Sequence, residues 1–287
     1  MDKAISIVIP VFNEEGGIGE VVEKTKSVFE SLGWEFEIIV VDDGSSDNTG
    51  KKAEEKGARV IRHPVNIGYG KTILSGIANS KYGLIGIIDG DGSYNPEDFP
   101  KLLEFSQGFD MVVGARKGVH YRGSLLKLPA RYIFQWMAEY VTGERIPDVN
   151  SGMRIFKKEV VKKISHIICP GFSFSTTLTL NLLWQRCFVK FVPIQYHKRV
   201  GKSHVRYIRD TLRAGQILVT TLVYFNPIKA ILPLAGVSFI LSIIFLFSWI
   251  FLKHEIWLIT ALMSFFSFLN LFAIGLIMEI IRMRTEK

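Results

Sequence analysis

The sequence predicts an α/β fold: a mostly parallel sheet with helices on both faces, followed by a hairpin of two long apolar helices. Three observations predict it. Short apolar runs alternate with helix-like stretches through roughly the first 200 residues, the rhythm of βαβ units. Two of those runs, Phe36–Val41 and Leu84–Ile88, are dominated by Ile and Val, as strands covered on both faces are. Near the end of the chain, Ile231–Leu252 is 22 residues without a charge, and Ile256–Met278 repeats the pattern after Lys253, His254 and Glu255.

Taken in order, Ile5–Pro10 reads as a first strand and Ile18–Leu32 as a helix. Phe36–Val41 is a second strand, ending in Asp-Asp-Gly-Ser-Ser-Asp, a loop with several N-cap residues ahead of a helix at Thr49–Lys56. Val60 and Ile61 make a short strand, Gly70–Ser80 a helix, and Leu84–Ile88 and Met111–Val113 further strands. Two stretches break this rhythm. Tyr121–Val141 mixes Arg122, Lys127 and Arg131 with Leu, Phe and Trp, and Val205–Phe225 places Arg206, Arg209 and Arg213 on one helical face. Both read as amphipathic helices lying in a membrane interface. The expected organisation is a sheet domain over residues 1–204, which includes the interfacial helix at about 121–141. A juxtamembrane helix (205–227), a hairpin (228–281) and a short tail (282–287) follow.

At 1.5 Å per residue, 22 residues reach roughly 33 Å, enough for the hydrocarbon core of a bilayer. A hairpin buried in a soluble core would show a polar face, and this one does not. Arg282, Arg284 and Lys287 follow it, and Arg206, Arg209, Arg213 and Lys229 precede it, whereas the turn has a single Lys. The positive-inside rule therefore expects a two-span membrane protein with both ends, and the sheet domain, in the cytoplasm. The net charge of +8 calls for an anionic partner. The basic residues crowd beside the hairpin, so lipid phosphate is expected there and nucleic acid is not. A homo-oligomer is compatible with this reading. Cys169 and Cys187 are the only cysteines, which is neither a disulfide framework nor a metal-ligand spacing.

The chemistry starts at Asp89-Gly90-Asp91, where a strand ends. Two carboxylates one residue apart can reach one hard cation, and Mg²⁺ or Mn²⁺ suits such oxygen ligands and would bridge the phosphates of a nucleotide. The segments Val8–Glu15, Val41–Thr49, Asn66–Ile77, Asp89–Asp98 and Gly114–Arg116, in this order, resemble glycosyltransferase family 2 over roughly residues 4–204. Within it the chain is similar to the polyprenyl-phosphate sugar synthases, the group of dolichyl-phosphate mannose synthase.

The resemblance implies a GT-A, Rossmann-like catalytic domain, a nucleotide-sugar donor, a polyprenyl-phosphate acceptor and a divalent cation. Pro10, Phe12 and Glu14 match the first-strand motif beside the nucleoside, Asp42 the carboxylate for base or ribose, and Asp89 and Asp91 the metal pair. Arg116 and Arg131 fall where the synthases place arginines for the acceptor phosphate, since a guanidinium pairs bidentately with phosphate. Arg131 also reads as a residue snorkelling to lipid headgroups. Asp148, in Asp148–Arg154, matches the segment facing the transferred sugar, as a base or a holder of hydroxyls. Lys198, Arg199 and Lys202 resemble the basic loop that closes over the donor pyrophosphate. Asp43 and Asp47 read as loop and helix caps. Two departures stand out: Ser93 replaces a Gln of the synthases, and Gly171–Leu180 lacks the acidic residues usual there. The expected function is an inverting hexosyltransferase acting on polyprenyl phosphate. The alternative is a same-fold enzyme that extends a glycolipid or polysaccharide through a hydroxyl.

Overall fold

The structure is a computed structural model. It describes residues 3–118, 128–164 and 174–199 and, apart from positions 217, 218, 221, 224 and 225, residues 215–285. The chain forms two compact units, Met1–Ala214 and Gly215–Lys287.

The first unit is built on a seven-stranded sheet. Its strands are β1 (Ala4–Val11), β2 (Glu35–Asp42), β3 (Arg59–Arg62), β4 (Leu84–Ile87), β5 (Met111–Lys117), β6 (Arg154–Lys157) and β7 (Val189–Gln195), in the order β3-β2-β1-β4-β6-β5-β7. β3, β2, β1 and β4 run parallel, in the register Val11↔Asp42 and Val8↔Ile87. β6 is antiparallel to both β4 and β5, and β7 is parallel to β5. The fold is thus the expected α/β sheet with one strand reversed. That reversal has a consequence for the site. The loop before β6, which holds Asp148–Met153, arrives at the edge where β1, β2, β4 and β5 end, because Arg154 pairs with both Ile87 and Val113.

Alternation along the strands fills both faces. Ile5, Ile7 and Ile9 face one core with Phe29 of α1 (Ile18–Leu32) and Phe99 of the short α4 (Phe99–Leu103). Val8, Ile39 and Val41 face the other core. It is completed by Ile73 of α3 (Tyr69–Ala78) and by Phe174 and Leu178 of α7 (Phe174–Trp184). A small helix, α2 (Thr49–Glu55), follows β2. α7 is buried all round from Phe174 to Leu183, so it carries no amphipathic signature. α5 (Leu128–Thr142) is the described part of the expected interfacial helix, and α6 (Lys158–Ile164) follows β6. Residues 119–127, and most of the expected juxtamembrane helix, lie outside the described residues.

The second unit is a helical hairpin, α8 (Pro227–Leu252) and α9 (Glu255–Thr285), and both helices are long and apolar enough to cross a membrane. Pro227 starts α8, where its missing N–H costs nothing, and the Asn226 side chain accepts from the Lys229 N–H. Lys253, in the left-handed region at φ 53°, turns the chain. Phe239 packs on Phe268 at 5.0 Å and Phe245 stacks on Trp257 at 5.8 Å. The Ser242 hydroxyl donates to the Ala261 carbonyl at 2.9 Å, a cross-helix bond of the kind that holds helices together in lipid.

Phe29 has no exposed surface and lies 5.7 Å from Phe36 and 5.3 Å from Phe99, joining α1 to the sheet and to α4. Phe29→Ala is expected to destabilise the sheet unit by about 3–5 kcal/mol, with Phe29→Leu well below that. Denaturant unfolding of the solubilised protein, followed by fluorescence, measures both.

Candidate active site

The carboxyl edge of the sheet carries the candidate residues. The loops after β1 and β2 are stitched to each other. The Asn13 N–H donates to the Ser45 hydroxyl, Glu14 N–H to the Thr49 hydroxyl and Glu15 N–H to Asp47, while the Ser46 N–H returns to the Asn13 side chain. Asn13 adopts φ 54°, a conformation Asn tolerates better than most residues. Asp42 is buried and accepts from the Ser45 N–H at 2.9 Å. Asp43 accepts from the Ile67 and Gly68 N–H groups and from His63, so it shapes the loop that leads into α3. Pro10 is buried in β1, and Phe12 is half-buried just beyond it.

Asp89 and Asp91 follow β4. The Tyr69 hydroxyl donates to Asp89 Oδ1 at 2.8 Å. Gly152 faces the same carboxylate so closely that a Cβ on it would meet Asp89 Oδ2 at 2.1 Å. Asp91 Oδ1 accepts from both the N–H and the hydroxyl of Ser93, which leaves Oδ2 turned towards Arg199 Nε at 3.5 Å. Ser93 thus orients the second Asp. Arg199 also donates to Glu14, joining the loop after β1 to the Asp pair. Gly90 is needed for packing: a Cβ there would meet Val11 Cγ1 at 2.4 Å. Burial is the main cause that pushes the Glu14 carboxyl up to about 7; Arg199 draws it down, while Asp91 and Asp89 raise it further. Asp89 is pushed up to about 6, by burial first and then by the Asp91 carboxylate. Asp89 and Asp91 thus add their repulsion to the cost of burial.

Carboxylates placed in this way fit a divalent cation. The donors are hard oxygens, and Asp91 presents one oxygen with the other held back. Among the described residues no group of three or more His, Cys, Asp or Glu could hold an ion alone. Two carboxylates completed by substrate phosphates is the usual arrangement for Mg²⁺ at nucleotide sites.

Asp148 and Arg116 meet each other. Arg116 Nε donates to Asp148 Oδ2 at 2.7 Å and Nη2 to Oδ1 at 2.9 Å, and the Arg116 backbone N–H adds a third bond at 3.1 Å. The Asn150 N–H donates to Asp148 Oδ1 as well, and the carboxylate is buried. Arg116 also lies over the Tyr196 ring at 5.3 Å. Arg131 lies in α5, with its side chain outside the described residues, and Lys202 lies outside them altogether.

Sequence reasoning passed over Arg154. It has no exposed surface, donates to the carbonyls of Ser151 and Ser175 and to the Thr179 hydroxyl, and so ties the loop before β6 to α7. It closes the recognised segment Asp148–Arg154, but an arginine reads as a surface residue, so its burial was not legible. Burial lowers its pKa, although a guanidinium keeps its proton in proteins. Tyr69, the partner of Asp89, lay unremarked within a recognised motif.

Residues 6–165 match the model for the Glycosyl transferase family 2, more than half of the chain. A curated relative, the undecaprenyl-phosphate 4-deoxy-4-formamido-L-arabinose transferase of Edwardsiella ictaluri (strain 93-146), is 27% identical over 248 residues, covering 84% of this chain and 74% of that protein. Among solved structures, glucosyl-3-phosphoglycerate synthase of Mycobacterium tuberculosis with phosphoglyceric acid has a TM-score of 0.63 at 20% identity, covering 76% of this chain and 80% of that one. The same synthase with Mn²⁺, UDP and glucosyl-3-phosphoglycerate has a TM-score of 0.62 at 20% identity, with the same coverage. These structures share the fold.

Removing the Asp148 carboxylate takes the bidentate partner from a largely buried guanidinium. Asp148→Ala is therefore expected to cost about 3–5 kcal/mol of stability, and Asp148→Asn less. Denaturant unfolding checks it, and a loss below about 1 kcal/mol would mean the pair is solvated.

Proposed function

The chain belongs to glycosyl transferase family 2, and within that family we propose that it transfers a hexose from a UDP- or GDP-sugar to polyprenyl phosphate, with inversion at the anomeric carbon. The observation that carries this reading is the meeting of Glu14, Asp91 and Arg199, with Asp89 two residues before Asp91, beside the stitched loops after β1 and β2. The curated relative acts, by its name, on undecaprenyl phosphate, which supports the acceptor class.

In this reading Pro10, Phe12 and Asp42 border the nucleoside, and Glu14 and Arg199 hold the mouth of the pyrophosphate site. Asp89 and Asp91 would hold Mg²⁺ or Mn²⁺, which when bound supplies positive charge to the departing diphosphate. Lys202 adds charge to the same loop. The acceptor oxygen forms its bond to the anomeric carbon from the face opposite the bond to the diphosphate, which breaks with its electron pair. A phosphate oxygen is already anionic and needs no base, so positioning and charge compensation supply the rate.

One observation bears on the choice of acceptor. Both oxygens of Asp148 are occupied by Arg116 and Asn150, and the described part of Gly171–Leu180, in α7, carries no carboxylate. A hydroxyl acceptor would need a free base, so the phosphate reading is favoured. Asp148 then acts by orienting Arg116, whose guanidinium, with Arg131, meets the acceptor phosphate.

The hairpin anchors the enzyme, with both chain ends in the cytoplasm. Tyr132, Trp136 and Tyr140 follow one another along α5 at a spacing of four, all exposed, and the last two stack at 5.7 Å. Such a stripe suits the headgroup region.

The test incubates purified protein with labelled nucleotide sugars, polyprenyl phosphate and Mn²⁺, and identifies the labelled lipid. A sugar-phosphate-polyprenol is expected. Label found only on a hydroxyl-bearing lipid would establish the other reading. Asp89→Asn and Asp91→Asn are each expected to lose at least about 100-fold in rate with the fold intact by circular dichroism, and chelation should abolish the wild-type signal. Arg131→Ala should lower use of polyprenyl phosphate about 10- to 150-fold, Arg131→Lys less, with nucleotide-sugar binding unaltered.

A further inference from the structure

α9 has a carboxamide on its outer face that a lipid-facing helix does not need. The inner face is settled by contacts with α8. Ser242 bonds the Ala261 carbonyl, Phe239 packs on Phe268, and Gly275 lies against Ile231. On the opposite side, Met263, Phe266, Asn270, Ala273, Ile277 and Ile280 alternate at spacings of three and four, and all are exposed. That is a heptad seam. Its apolar members are what lipid requires in any case and carry no argument by themselves. Asn270 is different. It is the middle residue of Glu255–Thr285 and lies within one turn of the midpoint of the apolar run Ile256–Met278, so it falls deep inside the expected span. Its amide nitrogen donates back to the Phe266 carbonyl at 2.8 Å, and among the described residues no group of α8 meets it. A carboxamide facing hydrocarbon keeps unmet hydrogen-bonding capacity in the place where that costs most.

We propose that this seam is the contact between two copies of the chain, with Asn270 hydrogen-bonded to Asn270 of a second copy at its centre. The proposal rests on reading α8 and α9 as membrane spans. Insertion in one orientation makes α9 of two copies run parallel, with equal residues at equal depth. A carboxamide is donor and acceptor at once, so it is its own complement. An unrelated helix would need a polar group at that same depth, whereas a second copy always has one. Ala273, the next seam position, is small and allows the backbones to approach. A single Asn at an a position of a parallel heptad seam also fixes the register, because a slip leaves both amides unpaired in an apolar contact.

Disulfide trapping in native membranes tests this, in a Cys169→Ser, Cys187→Ser background. Met263→Cys and Ile277→Cys, at the seam positions one heptad on either side of Asn270, are expected to give covalent dimers on mild oxidation. Leu276→Cys, exposed but on the flank facing away from the seam, is not. Adding Asn270→Leu should reduce trapping at Ile277→Cys about fivefold or more, and Asn270→Gln should restore part of it. Equal trapping on and off the seam, or trapping untouched by Asn270→Leu, overturns the proposal. An alkaline wash of the same membranes separates the two readings. Protein released by the wash refutes the membrane spans and the seam with them. Protein that stays bound yet does not cross-link at the seam refutes the seam alone.

Discussion

Three carboxylates, Glu14, Asp89 and Asp91, lie near one another at the carboxyl edge of the sheet, and Arg199 contacts two of them, Glu14 and Asp91. Like charges gathered in a half-buried place repel, and the raised Glu14 and Asp89 carboxyls register that repulsion together with their burial. The fold must therefore hold them against it. Tyr69 and the bare backbone of Gly152 confine Asp89 from two sides, and Ser93 fixes the orientation of Asp91 with two bonds. Gly152 is positioned in turn by the Tyr94 hydroxyl, which accepts its N–H at 2.7 Å. Arg154, two residues further on, clamps the strand to α7. The antiparallel course of β6 makes this possible, because a parallel strand in its place would send Gly152 to the opposite edge.

A second consequence concerns Asp148. A reader of the sequence sees a carboxylate near a sugar site and weighs it as a base. In the fold it is a buried partner of Arg116 and holds that guanidinium at the end of β5. On the proposed reading this favours charge placement over proton transfer, which suits an acceptor that arrives already ionised.

Much of this was legible. Leu84–Ile88 followed by Asp-Gly-Asp has a buried strand and a charged loop side by side, and the loops after β1 and β2 are rich in the small polar residues that stitch them together. The hairpin was legible from length alone. β6 was not: Arg154–Lys157 is four residues with a charge at each end. β7 escaped because Lys190 and Pro193 interrupt its apolar pattern, which its position at the edge of the sheet tolerates. α7 escaped for the opposite reason, since a helix buried on every side shows no periodicity. Arg154 and the Arg116–Asp148 pair depend on contacts across 21 to 32 positions of chain, which no local pattern records.

The central claim is that the Asp89–Asp91 loop holds a cation only together with a nucleoside diphosphate, because two carboxylates are too few to hold it alone. Titrating the solubilised protein with Mn²⁺ while reading the free-ion paramagnetic resonance signal, with and without UDP or GDP, measures this directly. Weak uptake of Mn²⁺ is expected for the protein alone, about one ion per chain once the matching diphosphate is present, and no such gain in Asp91→Asn. Equal uptake by wild type and Asp91→Asn, or no gain with any nucleoside diphosphate, would contradict it.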